Sequence, residues 1–155
     1  MRGEDGGNGL SAKSYLNRAR ALKLSIKALE RKRQEFEALK TAISSPMRDS
    51  DPVQTSKSGE APYARTVEKL IEIDESLALR VGEYADTLAE METEIGGLEN
   101  PVHVEVLTRR YLDFQRFERI SYEMHYSFRY TLNLHQEALR AFETIFPDKC
   151  FPNPG

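Results

Sequence analysis

The spacing of apolar residues between residues 67 and 98 constrains the fold more than any other feature of the chain. The steps alternate between three and four residues, and the positions are Val67, Leu70, Asp74, Leu77, Val81, Tyr84, Leu88, Met91, Ile95 and Leu98. Asp74 is the single polar break in the series. This alternation is typical of the a/d seam of a coiled coil, so it predicts a long helix that begins near Pro62 and ends near Gly96.

A second helical segment precedes it. Residues 12–43 contain neither glycine nor proline, and apolar residues mark one side of a helix at Leu16, Ala19, Leu22, Ile26, Leu29, Phe36, Leu39 and Ile43. The stretch 44–62 that follows is rich in serine, proline and aspartate and is predicted to be a connector. The two helices are therefore expected to form a coiled-coil-like antiparallel hairpin over residues 12–98.

Charge is divided unevenly between these segments. Residues 1–45 carry ten basic and five acidic side chains, whereas residues 61–100 carry three basic and ten acidic ones. Oppositely charged helices of this kind determine which helices pair, and in which register, more than they stabilise the fold. We expect the hairpin to be a scaffold or an oligomerisation arm, with a homodimer as one expected assembly.

Composition sets the class of protein. The chain has 155 residues, no tryptophan and 30% charged residues, and its valines and isoleucines never alternate over a strand length, so an all-α protein is expected. No uncharged run approaches the ~18 apolar residues of a membrane span. Residues 1–11 are predicted to be disordered and not a secretory signal, because they are glycine-rich and polar. Since Cys150 is the only cysteine, no internal disulfide can form, and a cytoplasmic location is expected.

Residues 99–146 have the spacing of a small helical domain. Gly96 and Gly97 should end the long helix, and Asn100-Pro101 should open the next one. Helices are predicted at about 102–112, 117–124 and 127–146, followed by a proline-rich tail from residue 147 to residue 155. The second and third of these helices have the lengths and the short turn of a helix-turn-helix.

The inward face of such a motif must be apolar or small. The predicted inward residues are Phe117, Ile120, Met124, Tyr126, Thr131, Leu134, Ala138, Leu139 and Phe142. Ser127 stands where an N-cap is wanted, since its side chain can accept a hydrogen bond from free backbone amides. The same amide-rich terminus can dock a DNA phosphate.

The outward face of the last helix carries the side chains that could read DNA. Its predicted members are Phe128, Arg129, Leu132, Asn133, Gln136 and Arg140. Asparagine and glutamine can bind adenine in a bidentate manner, and arginine can bind guanine or phosphate. Arginines in the preceding elements are expected to touch backbone phosphates. These flanking residues are Arg110, Arg116 and Arg119, with Arg109 beside them.

This segment resembles region 4 of bacterial sigma factors. The matching pieces are Arg110-Tyr111-Leu112, Glu118-Arg119-Ile120-Ser121 and Glu137-Ala138-Leu139. In that pattern glycine often stands at the positions of Phe114 and His125. Over residues 12–146 the chain resembles small phage and prophage proteins that are grouped loosely with late-transcription regulators of the RinA and ArpU type. The resemblance implies a transcription regulator that binds promoter DNA, contacts RNA polymerase, or does both, without a cofactor.

Two other functions remain open. A small-terminase-like subunit of phage packaging also joins a helix-turn-helix to helical oligomerisation segments, and a ring of many copies would distinguish it. A protein-interaction module that has lost DNA contact is the second alternative, since residues 101–155 carry seven basic and seven acidic side chains. The exposed Leu132 expected on the last helix also favours it.

Catalytic and metal sites are not expected. His103, His125 and His135 match no ligand spacing, so no metal site is predicted, and no motif of an enzyme is present. His135 is expected to pack against the domain or to touch a phosphate. A cluster of aromatic residues, Tyr122, Tyr126, Phe128 and Tyr130, could stack bases, but core packing or a protein interface is favoured.

Overall fold

The computed structural model describes residues 11–44 and 60–151, and every regular element in these ranges is helical. The all-α prediction is therefore confirmed. The helices are α1 (Ala12–Leu16), α2 (Arg18–Ser44), α3 (Glu60–Gly96), α4 (Pro101–Leu107), α5 (Phe117–Met124), α6 (Phe128–Ile145) and α7 (Pro147–Cys150), and α4 continues into a π-helical turn (Thr108–Leu112). Residues 1–10, most of the predicted connector (45–59) and the last residues of the predicted tail (152–155) lie outside the described residues.

The described chain divides into two compact units. One, the hairpin unit, contains residues 22–44 and 60–84, and the other, the C-terminal unit, contains residues 11–21 and 85–151. The long helices α2 and α3 pack antiparallel, as the two periodic segments predicted. Both helices contribute one end to the C-terminal unit, so this unit includes more of the chain than residues 99–146.

The contact face of α3 in the hairpin unit differs from the predicted seam at two positions. Ile73 is buried where the three-four series placed Asp74, and Val81 is exposed. Asp74 instead stands beside the seam and accepts a hydrogen bond from Arg33 Nε at 2.6 Å, which joins the two helices. A helix of 3.6 residues per turn allows either of two adjacent positions to face a partner, and the apolar one does.

In the C-terminal unit α6 lies against α1, α4, α5 and α7. The core holds Leu16, Met91, Ile95, Val106, Leu107, Ile120 and Phe142, each of them fully or almost fully buried. Residues 147–150, predicted to be a tail, form α7. Cys150 belongs to the core instead of a tail, and this burial raises the pKa of its thiol to about 11.

A buried carboxylate on α3 joins three other helices of this unit. Glu94 on α3 accepts hydrogen bonds from the Tyr15 hydroxyl at 2.7 and 2.8 Å and from Arg18 at 3.3 Å. Lys149 on α7 lies 3.6 Å from the same carboxylate. Since α1, α2 and α7 each provide a partner, one buried acid fixes three elements around the end of α3. Burial and the bond to Glu94 raise the pKa of Tyr15 to about 12.

Candidate nucleic-acid interface

A tight turn joins α5 to α6 and sets the direction of α6. His125 ends α5 in the left-handed conformation, with φ 61° and ψ 39°. Ser127 then caps α6, and its Oγ accepts a hydrogen bond from the Tyr130 amide at 3.1 Å, as expected from its position. Phe114 and His125 are the non-glycine residues with positive φ in the described chain.

The inward face of α6 agrees largely with the prediction. Five predicted residues are buried on it: Thr131, Leu134, Ala138, Leu139 and Phe142. Ile120 on α5 is also buried, whereas Phe117 and Met124 are half-buried. Tyr126 is a wrong prediction, because 38% of it is exposed and its ring packs edge-on against Tyr130 at a centroid distance of 4.8 Å.

His135 belongs to this inward face and is not available to a phosphate. It is 3% exposed, and its Nε2 lies 2.7 Å from the Tyr111 hydroxyl. Phe117 contacts the imidazole edge-on, at a centroid distance of 4.8 Å. Burial, with smaller contributions from the charges of Arg110 and Lys13, lowers the pKa of His135 to about 4. The imidazole is therefore neutral at pH 7 and helps to anchor α6.

The opposite face of α6 is polar and exposed. Arg129, Asn133, Gln136 and Arg140 all lie on it, and Leu132 beside them is half-buried. The side chains of Arg129 and Arg140 make no ion pair with any residue in the described ranges, and the same holds for Arg116 before α5. Four residues that could contact bases or phosphates thus share one face of a helix whose other face is fixed.

The flanking arginines are held more tightly than the sequence predicted. Arg110 donates to the Gln115 carbonyl at 3.0 Å, and its guanidinium carbon lies 4.3 Å from the centroid of the Phe117 ring. Its contacts are therefore internal ones that order the segment before α5. Arg119 remains exposed, but its Nε donates to Glu123 at 2.8 Å.

Sequence reasoning missed the role of Glu123. This carboxylate pairs with Arg109 as well as with Arg119, and the hydrogen bond from Arg119 is the main cause that lowers its pKa. Glu123 thus offsets the charges of two arginines that flank α5. The four-residue spacing from Arg119 was a usable signal, whereas the approach of Arg109 depends on the tertiary fold.

Aromatic side chains cover the surface around the turn. Tyr122, Tyr126, Phe128 and Tyr130, here called the aromatic surface, are all exposed, and Tyr122 is 82% exposed. Of the two expectations for them, core packing is therefore wrong, and a protein interface stays a prediction. Four exposed aromatic residues within nine positions are typical of a surface that contacts another molecule.

Other kinds of site are not apparent within residues 11–44 and 60–151. No cluster of histidine, cysteine and acidic residues there could hold a metal ion. None of the described helices is long and apolar enough to cross a membrane. Comparisons with models of protein families, with curated proteins and with solved structures give no match.

Proposed function

We propose that this protein binds double-stranded DNA through a helix-turn-helix formed by α5 and α6, with α6 lying in the major groove. The observation that carries the proposal is the exposed face of α6, on which Arg129, Asn133, Gln136 and Arg140 stand together. Arginine, asparagine and glutamine are the side chains that make bidentate contacts with base edges. The buried opposite face supports the proposal because a reading helix must be held rigidly.

The surroundings of this face suit a phosphate backbone. Ser127 caps the N-terminus of α6, where amides and the helix dipole favour an anion. Arg116 is exposed before α5 and has no acidic partner among the described residues. Contacts of this kind set register on the duplex, while the side chains in the groove select sequence.

The resemblance to sigma region 4 makes transcription regulation of phage or prophage type the biological setting that we propose. Promoter DNA and RNA polymerase are the expected partners. Because few arginines near this face are exposed without an acidic partner among the described residues, one copy releases few counterions and should bind DNA with low affinity. A second copy, or polymerase bound nearby, would then provide the remaining affinity.

The first experiment measures binding of the full chain to labelled duplexes by fluorescence anisotropy, at about 50 mM and about 200 mM salt. Random and phage-genome fragments serve as targets, and the variant combines Arg129→Glu with Asn133→Ala. We expect affinity to fall at least about tenfold in the variant and to decrease with salt in the parent chain. Arg20→Glu is the matched control, since Arg20 is an exposed arginine of the same unit on another helix.

Glu123→Gln provides a variant with the opposite sign. Removing this carboxylate leaves Arg119 without its acidic partner, so it can turn towards a phosphate, whereas Arg109 keeps its ion pair with Glu105. DNA affinity should rise by a few-fold at low salt and converge with that of the parent chain at high salt. Equal losses in the variant that combines Arg129→Glu with Asn133→Ala and in Arg20→Glu would contradict a DNA-binding face on α6, and no gain in Glu123→Gln would contradict a phosphate contact of Arg119.

A second candidate function is docking of a protein partner on the aromatic surface. The exposure of Tyr122, Phe128 and Tyr130 favours it, because aromatic residues dominate the energetics of protein interfaces. RNA polymerase is the bait to test, with Tyr122→Ser and Arg129→Glu compared in parallel. If the protein is an interaction module, Tyr122→Ser should lose polymerase binding and Arg129→Glu should keep it. The parent chain should then bind no DNA even at low salt.

A further inference from the structure

The first two turns of α6 carry two apolar side chains beside the polar face of the helix. Phe128, the first residue of α6, is 46% exposed, and Leu132, one turn later, is half-buried. Residues four apart on a helix lie on the same side, with about 5–6 Å between their Cβ atoms. Phe128 and Leu132, here called the apolar edge, therefore form one strip that starts at the N-terminus of α6.

The apolar edge has a defined place on the circumference of α6. At about 100° per residue, Gln136 and Arg129 lie about 40° and 60° from Leu132, and the exposed Glu137 lies about 140° from it. Glu137 Oε2 is 3.9 Å from His103 Nε2 on α4. The acid thus lies across the polar face from the apolar edge. Its repulsion of phosphates favours an approach of DNA from the side of the edge.

The ring of Phe128 is not packed against another ring of the protein. Tyr126 and Tyr130 pack on each other, whereas Phe128 makes no ring contact with any residue in the ranges 11–44 and 60–151. The cap of α6 does not depend on this ring either, because the Ser127 hydroxyl accepts the hydrogen bond there. The exposed part of the ring is therefore available to a molecule that approaches the N-terminus of α6.

We propose that the apolar edge binds the 5-methyl group of thymine in the major groove. This inference rests on the proposed binding of DNA by α6. In a helix-turn-helix the N-terminal residues of the second helix contact base edges. Thymine alone among the four bases presents a methyl group in the major groove, and apolar side chains contact it. The DNA sites of this protein should therefore contain thymine next to the base pairs that Arg129 and Asn133 contact.

A protein partner fits the apolar edge less well than a base does. Interfaces between proteins bury about 800 Å² per partner around an apolar centre. The apolar edge consists of two side chains, and the polar side chains of Arg129, Asn133 and Gln136 lie directly beside it. Such a narrow strip matches a methyl group flanked by hydrogen-bonding base edges, which is the pattern that an A·T pair presents.

Replacement of thymine by uracil tests the contact at the level of one methyl group. A tightly binding duplex is first selected from a random library on the immobilised full chain. Each thymine is then replaced singly by uracil, which keeps the base pairing and lacks the methyl group, and affinities are measured by fluorescence anisotropy. We expect at least one position at which uracil lowers the affinity about fourfold, the effect of one buried methyl group.

Variants of the protein assign that methyl group to the apolar edge. The uracil effect should fall below about twofold in Phe128→Ala and in Leu132→Ala, because the side chain that covers the methyl group is shortened. Phe128→Leu keeps an apolar side chain and should retain the effect. Tyr130→Ala is the matched control, since this exposed aromatic residue of the first turn lies about 160° around the helix from the edge and its loss should leave the effect unchanged. Circular dichroism checks that all variants keep their helices.

Two results overturn the proposal while DNA binding stands. Equal affinities for thymine and uracil at every position of a selectively bound duplex would exclude the methyl contact and leave Phe128 to a protein interface on the aromatic surface. A uracil effect that persists in both alanine variants, or that is lost equally in Tyr130→Ala, would assign the methyl group to other residues. A library that yields no selectively bound duplex would instead contradict the proposed DNA binding, and this inference with it.

Discussion

At the scale of single residues, His135 is the group whose environment departs furthest from that of a free side chain. Its imidazole is buried against Phe117 and the Tyr111 hydroxyl, and the folded pKa is about 4, compared with 6.5 for a free histidine. The unfolded chain therefore binds a proton below pH 6.5, whereas the folded chain binds one only near pH 4. The free energy of unfolding contributed by this residue is fully present above pH 6.5 and decreases as pH falls towards 4.

The measurement is urea unfolding from pH 7 to pH 4 of the parent chain and of His135→Gln, which keeps a neutral polar group in the site. Carboxylates titrate over part of this range in both proteins, so the difference between the two curves isolates the histidine. We expect the parent chain to lose more stability than the variant between pH 6.5 and 4. Parallel curves would show that His135 is protonated in the folded state as easily as in the unfolded one.

His125 carries a second prediction at this scale. It is exposed and adopts φ 61°, a conformation that costs an L-residue roughly 1 kcal/mol and glycine almost nothing. His125→Gly should therefore keep or raise the free energy of unfolding, and His125→Val should lower it by about 1–2 kcal/mol, because β-branched residues avoid positive φ. Thermal unfolding of the three proteins checks the order, and a valine variant as stable as the parent chain would mean that the turn has another conformation.

Residue-level sequence reasoning succeeded where local spacing determines the outcome. The cap at Ser127 and the left-handed turn at His125 depend on neighbours within four residues. Tyr126 was assigned to the wrong side, because a residue in a turn has no helical periodicity to orient it. The internal contacts of Arg110 were missed for a different reason, since they require the approach of Phe117 in the folded chain.

At the scale of elements, the long helices and the pair α5 and α6 were predictable because apolar periodicity and helix termini coincide there. α5 occupies residues 117–124 as predicted, and α6 ends at Ile145, one residue short of the predicted bound. The break at Asn17 between α1 and α2, the π-helical turn after α4 and the short α7 were not predicted. Tertiary contacts such as those of Glu94 and Tyr111 accompany these irregularities, and composition carries no sign of them.

Gly82 supplies a prediction for α3. It lies in the helix interior, and a Cβ built on it would meet nothing within 4 Å. Gly82→Ala should therefore raise the free energy of unfolding by about 1 kcal/mol, since alanine is the better helix former by that amount. Gly97→Ala is the control and should bring no gain, because its Cβ would lie 3.3 Å from the Glu94 carbonyl oxygen.

Chemical denaturation of both variants at one protein concentration gives the comparison. If Gly82→Ala instead lowers stability, another backbone approaches α3 at that point. A gain in stability thus reports the higher helix propensity of alanine, and a loss reports a steric contact of the new methyl group.

At the scale of the whole molecule, net charge is a poor guide to the proposed function. The chain has a net charge of −3, yet Arg116, Arg129 and Arg140 are exposed without acidic partners among the described residues. These three side chains, and not the total, should set the number of phosphates that one copy neutralises. Charges that contact no phosphate affect the rate of long-range encounter but release no DNA counterions.

The salt dependence of DNA binding turns this into a number. With three phosphate contacts per copy, the slope of log K against log salt should be about −3 for one copy and about −5 for a dimer on two half-sites. Arg129→Gln should reduce its magnitude by about 1 per copy, whereas Arg20→Gln should leave it unchanged. Anisotropy titrations at four or more salt concentrations, on the parent chain and on both variants, give these slopes. A slope near −3 in the parent chain would mean that single copies bind DNA. A slope near zero would contradict phosphate contacts altogether.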